Sequence, residues 1–293
     1  MKVLVTGAAG FLGQHVVKAL QERGHQVIGL DLFQLPVPMS GIRDWVMADI
    51  TKFVPTTPHL DAVVHLAAMA QPRECDANPS RAFDVNVNGT NQVLKMARES
   101  GAKRFVFSSS AHVYGVGPRY LPTPESHPLA LGNTYTTTKI LGEQLCSLYQ
   151  ENHGLLACTL RLFNAYGVGQ APGYFIPDME ARAKKGDITL TGANTTKDFV
   201  WAEDVALAFA LAVESSYCGP INNGTGRDTA LASVAFAITE AHGVKLNATH
   251  DDSATMMRAD NGRAERVLGW KPTVTIEEGL DRILHAQSSP VRS

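Results

Sequence analysis

Apolar positions in the first half of the chain fall into short runs separated by longer segments of helical period. Residues 2–6, 26–31, 45–47, 61–66, 104–108 and 156–162 are rich in Val, Ile, Leu and Phe, with few polar interruptions. Runs of that kind fit strands covered on both faces, the habit of parallel sheets. Between them, residues 12–23, 79–100 and 134–152 repeat apolar side chains at helical spacing. Each is followed by a glycine (Gly24, Gly101, Gly154) suited to a left-handed helix stop. Strand and helix alternating in this way predict an α/β fold: a doubly wound parallel sheet with helices on both faces.

Beyond about residue 165 the pattern loosens into glycine- and proline-bearing loops. A short strand is expected within DITLTG, at 187–192, and helices at 203–214 and 230–242. The expected division is a dinucleotide domain over 1–166, to which 197–225 returns, and a smaller substrate lobe from 167–196 and 226–293. No internal repeat or low-complexity tract interrupts this order.

Composition narrows the possibilities. A chain of 293 residues with 44% hydrophobic side chains can bury a core without staples. A formal net charge of −2 leaves no basic excess, so nucleic acid is not expected as a partner. Cys75, Cys146, Cys158 and Cys218 lie far apart, without the spacing of a zinc site or a disulfide framework. No metal is expected, and a reducing cytoplasm fits. The most apolar later run, residues 205–213, is much shorter than a membrane span, and no membrane partner is expected.

TGAAGFLG follows the first strand and opens the first helix, with Gly7, Gly10 and Gly13 spaced for a Rossmann-type phosphate turn. Gly7 turns the chain, Gly10 lets a pyrophosphate approach the backbone, and Gly13 permits close packing at the positive helix N-terminus. Phe11 and Leu12, inside the turn, join them as cofactor residues. Asp31 ends the second strand, where a carboxylate accepts hydrogen bonds from ribose hydroxyls and repels a 2′-phosphate; Leu32 follows it. No arginine comes directly after, so NAD is favoured over NADP.

YTTTK places Tyr135 and Lys139 one helical turn apart, on one side of a helix. An ammonium beside a phenol favours the phenolate, so Tyr135 is the expected general base. Upstream, FSSSAHVYG supplies three serines in series, Ser108, Ser109 and Ser110.

With these motifs in place, the sequence resembles the extended short-chain dehydrogenase/reductase superfamily, in its NAD-dependent nucleotide-sugar epimerase/dehydratase branch. The likeness runs from Met1 to about Asp281. It implies that Asp49 and Ile50 contact the adenine, and that Leu66, Ala67 and Ala68 bring backbone against the adenosine ribose and pyrophosphate. His65 reads as packed and hydrogen-bonded, and Asn86 as a brace for the cofactor-side loop. The register implied for the serines makes Ser110 the catalytic hydroxyl and sets Ser108 on the cofactor side. Lys139 also holds the nicotinamide ribose, Phe163 lies near the nicotinamide, and Asn164 near the substrate phosphates. Tyr166 is either a site residue or a core aromatic. The resemblance further implies a homodimer through helices 79–100 and 134–152.

Dehydrating members of that family place an Asp-Glu pair after the catalytic hydroxyl; here the positions hold Ala111 and His112. Alanine carries no transferable proton, so the resemblance implies 4-epimerisation of the UDP-galactose 4-epimerase type, through a 4-keto intermediate. His112 is either a second acid/base and substrate contact or a packed loop histidine. Two departures weaken the diphosphate expectation. Lys197 of KDFV stands where the family usually has arginine, and His250 stands where another arginine would be, with Arg258 the nearest cation. The alternatives are a reductase or dehydrogenase of a keto-sugar or of a non-sugar carbonyl compound, and a non-catalytic dinucleotide sensor, against which Ser110, Tyr135 and Lys139 stand together.

Overall fold

The computed structural model describes residues 1–33, 44–52, 55–56 and 59–288, the last two without side chains. Residues 289–293, the end of the expected lobe, lie outside the described residues.

The first strands and helices are β1 (Lys2–Thr6), α1 (Phe11–Glu22), β2 (Gln26–Asp31), β3 (Asp44–Met47), β4 (Ala62–His65), α2 (Pro72–Ala77) and α3 (Pro79–Phe83). A π-helical turn (Asp84–Gly89) joins α3 to α4 (Thr90–Glu99); then come β5 (Arg104–Ser110), a 3₁₀ turn (Ala111–Tyr114), α5 (Thr134–His153), β6 (Leu156–Leu162) and β7 (Asn164–Tyr166). The second half runs α6 (Phe175–Ala183), β8 (Ile188–Thr191), β9 (Thr196–Lys197), β10 (Phe199–Trp201), α7 (Ala202–Glu214), β11 (Gly219–Asn223), β12 (Thr229–Ala230), α8 (Leu231–His242), β13 (Leu246–Thr249), α9 (Gly262–Leu268) and α10 (Ile276–Ser288).

Seven parallel strands form the central sheet in the order β11-β6-β5-β4-β1-β2-β3. Successive side chains alternate faces. Val3 and Val5 therefore pack with Val16 and Leu20 of α1 and Val205 and Phe209 of α7. Leu4, Val63 and Phe105 face the other way, onto Val93 and Leu94 of α4 and Cys146 of α5. A third cluster, holding Tyr166, Ile176, Phe199, Trp201, Ile238 and Leu280, fills the space between β10, α6, α8 and α10.

The helix expected at 79–100 is one run with a π-helical turn in its middle. The strand expected at 104–108 continues to Ser110, because its pairing with β6 runs to Ser110 opposite Leu162. β11, which completes the sheet, carries Gly219, Pro220 and two asparagines, too little apolar signal to be read as a strand. The strand expected within 187–192 is β8, and its partner β13 and the small ladders β7–β10 and β9–β12 have no signal in the sequence; the three ladders are two to four residues long.

Helix α5 has local reasons to begin and end where it does. The Asn133 side chain accepts from the Thr136 amide at 2.8 Å, and Gly154 turns left-handed at φ 67°. Its approach to β5 depends on Gly142, where a β-carbon would fall 2.4 Å from Cζ of the buried Phe107 ring. That missing side chain lets the helix carrying Tyr135 and Lys139 settle onto the strand carrying Ser110.

Candidate active site

The carboxyl ends of β1, β2, β4 and β5 lie along one edge of the parallel sheet, the usual ligand position in a doubly wound fold. Gly7 has φ 70°, and a β-carbon there would lie 2.7 Å from the Ala67 amide nitrogen. A β-carbon on Gly13 would lie 2.0 Å from the Gly7 carbonyl oxygen. Glycine is thus required at both positions for the turn to nest against residues 66–68 and its own helix. Gly10 caps α1 without a side-chain bond, so the amides of the first helical turn, Phe11 and Leu12 among them, have no intrahelical acceptor. Uncapped amides at the positive end of a helix beside a glycine cradle fit a pyrophosphate. The Phe11 ring itself lies toward Gly167 and edge-on to His15, and the Leu12 side chain packs against the core.

Asp31 stands at the end of β2, where its Oδ2 accepts from the Ala9 amide at 3.0 Å, tying the carboxylate to the glycine turn. Leu32 beside it is exposed. Asp49 accepts from the amide and hydroxyl of Thr51 at 2.9 and 2.7 Å, bonds that hold its carboxyl below the usual range. Ile50 is buried in the core.

His65 is fully enclosed, and its partners fix its tautomer. The Thr90 hydroxyl donates to the Asn86 carbonyl at 2.7 Å, so it accepts from His65 Nε2 at 3.0 Å. His65 Nδ1 then accepts from the Thr6 hydroxyl at 2.6 Å, and the Thr6 oxygen accepts from the Ala67 amide at 3.3 Å. Burial pushes the imidazole down to about 3, keeping it neutral. The Asn86 side chain accepts from the Met69 amide at 2.8 Å and donates to the Met69 carbonyl and the Thr138 hydroxyl, both at 3.0 Å. A chain of polar contacts thus runs from the glycine turn to α5.

Ser110, at the tip of β5, stands near the Tyr135 phenol and accepts from the His112 amide at 3.2 Å. Lys139 donates to the Ser108 carbonyl at 2.7 Å and lies 5.1 Å from the centre of the Phe107 ring and 5.7 Å from that of Tyr135. The expectation of a lowered Tyr135 pKa is corrected. Burial pushes the phenol above its ordinary value, with Ser110 opposing, while burial holds Lys139 at about 8. Desolvation wins because the ammonium is itself enclosed and directed at a backbone carbonyl.

His112 stands edge-on to Tyr135, ring centres 5.9 Å apart. Burial first, and the Lys197 charge second, lower its pKa, so it is a neutral imidazole at pH 7. Lys197, on β9, is half-buried, and burial lowers its pKa too. Phe163 is buried against Tyr114, and Asn164 donates from Nδ2 to the Asp198 carbonyl at 3.2 Å. Arg258 is engaged at the rim with Asp228 at 3.3 Å, the residue that leads into β12 opposite Lys197. His250 is exposed. Tyr166 lies in the core, donating to the Thr275 carbonyl at 3.1 Å and standing edge-on to Trp201.

Several residues at the cleft had no motif to announce them. Cys75 and Met69 pack against Tyr135. Asp198, next to Lys197, is buried and accepts from the Thr225 amide and hydroxyl, both at 2.7 Å, and from the Gly226 and Ala259 amides, both at 3.0 Å. Below Ser110, Glu143 and Arg161 form a buried ion pair at 2.7 Å. Their separation in sequence gives no period to read.

A glycine cradle, a carboxylate at the end of the second strand and a Ser-Tyr-Lys group at the same sheet edge fit a dinucleotide-dependent enzyme of the short-chain dehydrogenase type. The chain belongs to the NAD dependent epimerase/dehydratase family, whose profile matches residues 3–223. Its cofactor is NAD. A putative UDP-glucose 4-epimerase of Methanocaldococcus jannaschii is 32% identical over 97% of both chains. UDP-glucuronic acid decarboxylase 6 of Arabidopsis thaliana is 29% identical over 96% of this chain and 87% of its own. Among solved structures, MoeE5 in complex with UDP-glucose and NAD superposes with a TM-score of 0.87 at 27% identity, covering 98% of this chain and 99% of that one.

Proposed function

We propose that the chain is a nucleotide-sugar 4-epimerase. The observation that carries this reading is Ser110 beside Tyr135, with Lys139 one turn further along the same helix, at the sheet edge that bears the glycine cradle. Tyr135 takes the proton of the sugar 4-hydroxyl as C4 gives up its hydride, and returns that proton to the same oxygen once the 4-keto sugar has turned over and regained the hydride on its other face; Ser110 holds that oxygen and shares the proton. When bound, NAD supplies reversible hydride acceptance and a positive charge beside the phenol. Lys139 binds the cofactor ribose and opposes the effect of burial on Tyr135. Gly7, Gly10, Gly13, Phe11 and Leu12 hold the pyrophosphate, Asp31 the adenosine ribose, and Phe163 borders the nicotinamide.

On the other wall, Lys197 and Asn164 face the diphosphate, with Arg258 at the rim, and His112 hydrogen-bonds the sugar. A neutral histidine after an alanine leaves no carboxylic acid directly following Ser110 to drive elimination. That supports epimerisation over dehydration. Four free thiols, three of them buried, support a reducing cytoplasm. Exposed Phe83, Leu141 and Leu148, on α3 and α5, support a homodimer built on those helices.

Incubation of the purified protein with UDP-galactose, followed by separation of the sugar nucleotides, is the test. Interconversion with UDP-glucose without net NADH is expected, and stoichiometric NADH would overturn the reading in favour of a dehydrogenase. The likeness to a decarboxylase raises a second reading, for which release of carbon dioxide from UDP-glucuronic acid is the signature.

A further inference from the structure

Tyr135, Lys139 and Glu143 follow one another at intervals of four along α5, so phenol, ammonium and carboxylate form one buried stripe. Glu143 accepts three hydrogen bonds from two side chains. Ser109, the neighbour of Ser110, donates from its hydroxyl to Oε1 at 2.6 Å. Arg161 of β6 donates from Nε to Oε1 at 2.9 Å and from Nη2 to Oε2 at 2.7 Å. The guanidinium is fixed in turn: its Nη1 donates to the Tyr114 hydroxyl and the Glu125 carbonyl, both at 3.0 Å, and it lies 5.0 Å from the centre of the Tyr114 ring. Tyr114 donates to Asn222 of β11 at 2.5 Å. The strand bearing Ser110, the helix bearing Tyr135 and Lys139, and the strand leading to Phe163 and Asn164 are therefore joined through one carboxylate.

A buried ion pair adds little net stability over a well-packed apolar pair, because desolvating two charges offsets their attraction. The groups electrostatically coupled to Lys139 show what else this one does. They are His65 of β4, neutral; Cys75 of α2 and Cys146 of α5, thiols that burial pushes up; and Glu143. Among these described residues, Glu143 is the carboxylate.

We infer that Glu143, clamped by Arg161, is a positioning residue for the reaction: it sets α5 on β5 and holds a carboxylate one helical turn from Lys139. The inference rests on the reading of Tyr135 and Lys139 as the catalytic pair. Burial draws Lys139 toward its neutral form, and Cys75, Glu143 and Cys146 oppose it; burial pushes both thiols up, so Glu143 is the one of the three that carries charge at neutral pH. Arg161 moderates that carboxylate, so the two side chains act on Lys139 with opposite sign.

The test is titration of Lys139 in the NAD-bound protein, followed by the ¹³Cε resonance that disappears in Lys139→Arg. In Glu143→Gln the midpoint falls by on the order of one pH unit. The alkaline limb of the epimerisation rate moves down with it, kcat changes, and KM for the sugar nucleotide holds. In Arg161→Gln the midpoint rises. Each single variant leaves a buried charge without its partner, so Glu143→Gln/Arg161→Gln, which buries neither, is the control for folding; its midpoint falls between the other two. Midpoints that stay at the wild-type value in all three variants, or move the same way in both singles, overturn the inference. Midpoints that move as stated while Tyr135→Phe keeps full activity overturn the catalytic reading and leave the coupling of Glu143 to Lys139 standing.

Discussion

On the sheet side of the cleft the buried carboxylate of Glu143 is gripped by a guanidinium; on the other side Asp198, equally buried, is held by three amides and a hydroxyl. The first arrangement balances charge with charge, and the second spreads one charge over neutral dipoles. The difference appears in how each region answers to protons. Burial raises Asp198 despite its hydrogen bonds. Across the cleft, His65 is driven down to about 3. It also appears in the cations: Lys139 is fully enclosed and bonded to the Ser108 carbonyl, whereas Lys197 is half-buried beside His112. In the function proposed above, the sheet side serves chemistry at a fixed point and the opposite wall grips the ligand.

The sharpest separation of the two comes from one substitution on each side. Tyr135→Phe removes the proton-transferring hydroxyl and is expected to lower kcat by roughly 10²–10⁴-fold while the protein still carries NAD. Steady-state rates, together with the absorbance of cofactor released on denaturation, check both parts. Lys197→Met removes the ammonium and is expected to raise KM for the sugar nucleotide by about 10- to 100-fold, corresponding to roughly 1.5–3 kcal/mol for a hydrogen bond to a charged group. A fall in kcat instead, with KM unmoved, would place Lys197 in the chemistry and erase the contrast.

Stability effects come next. Asp198→Asn turns an amide toward backbone donors and is expected to cost on the order of 1–3 kcal/mol, read as a lower midpoint in denaturant. The pH dependence has opposite signs in the two regions. His65 has a folded value of about 3 against an ordinary 6.5, so its contribution is present above 6.5 and is lost as pH falls from there toward 3. Asp198 is raised, so its contribution is present below the ordinary value of 3.8 and is lost as pH rises through the raised value. Thermal melts across pH should show a shallower acid loss in His65→Gln. In Asp198→Asn, the loss on raising pH from 3.8 should disappear. The smallest effect belongs to Arg258→Ala: its partly exposed pair with Asp228 is worth under about 1 kcal/mol, so the melting temperature should hardly change. A large rise in KM in that variant would bring Arg258 from the rim into the ligand site.

Much of the sheet side was legible because its elements obey local rules. β1, β2 and β6 fall where their apolar runs predict. Tyr135 and Lys139 share a helix, so their proximity follows from the helical repeat. The ligand wall was less legible. Asp198 collects donors from residues 225, 226 and 259, and nothing near any of them in sequence marks the meeting. β11, at one edge of the sheet, carries asparagines where a buried strand is expected to be apolar, because Asn222 serves Tyr114 and the loop at Thr123.

By itself the sequence determined the parallel α/β plan, the glycine turn, the carboxylate at the end of β2 and the pairing of Tyr135 with Lys139, all consequences of short-range periodicity and backbone sterics; the choice of Ser110 among three serines came from the family resemblance. Only the tertiary structure decided the electrostatics: that Tyr135 is raised by burial, that His65 and His112 are neutral, that Glu143 faces Arg161, and that Arg258 is paired at the rim. The reason is physical. Periodicity depends on neighbours a few residues away, whereas desolvation and Coulomb interactions depend on which distant segments close over a group.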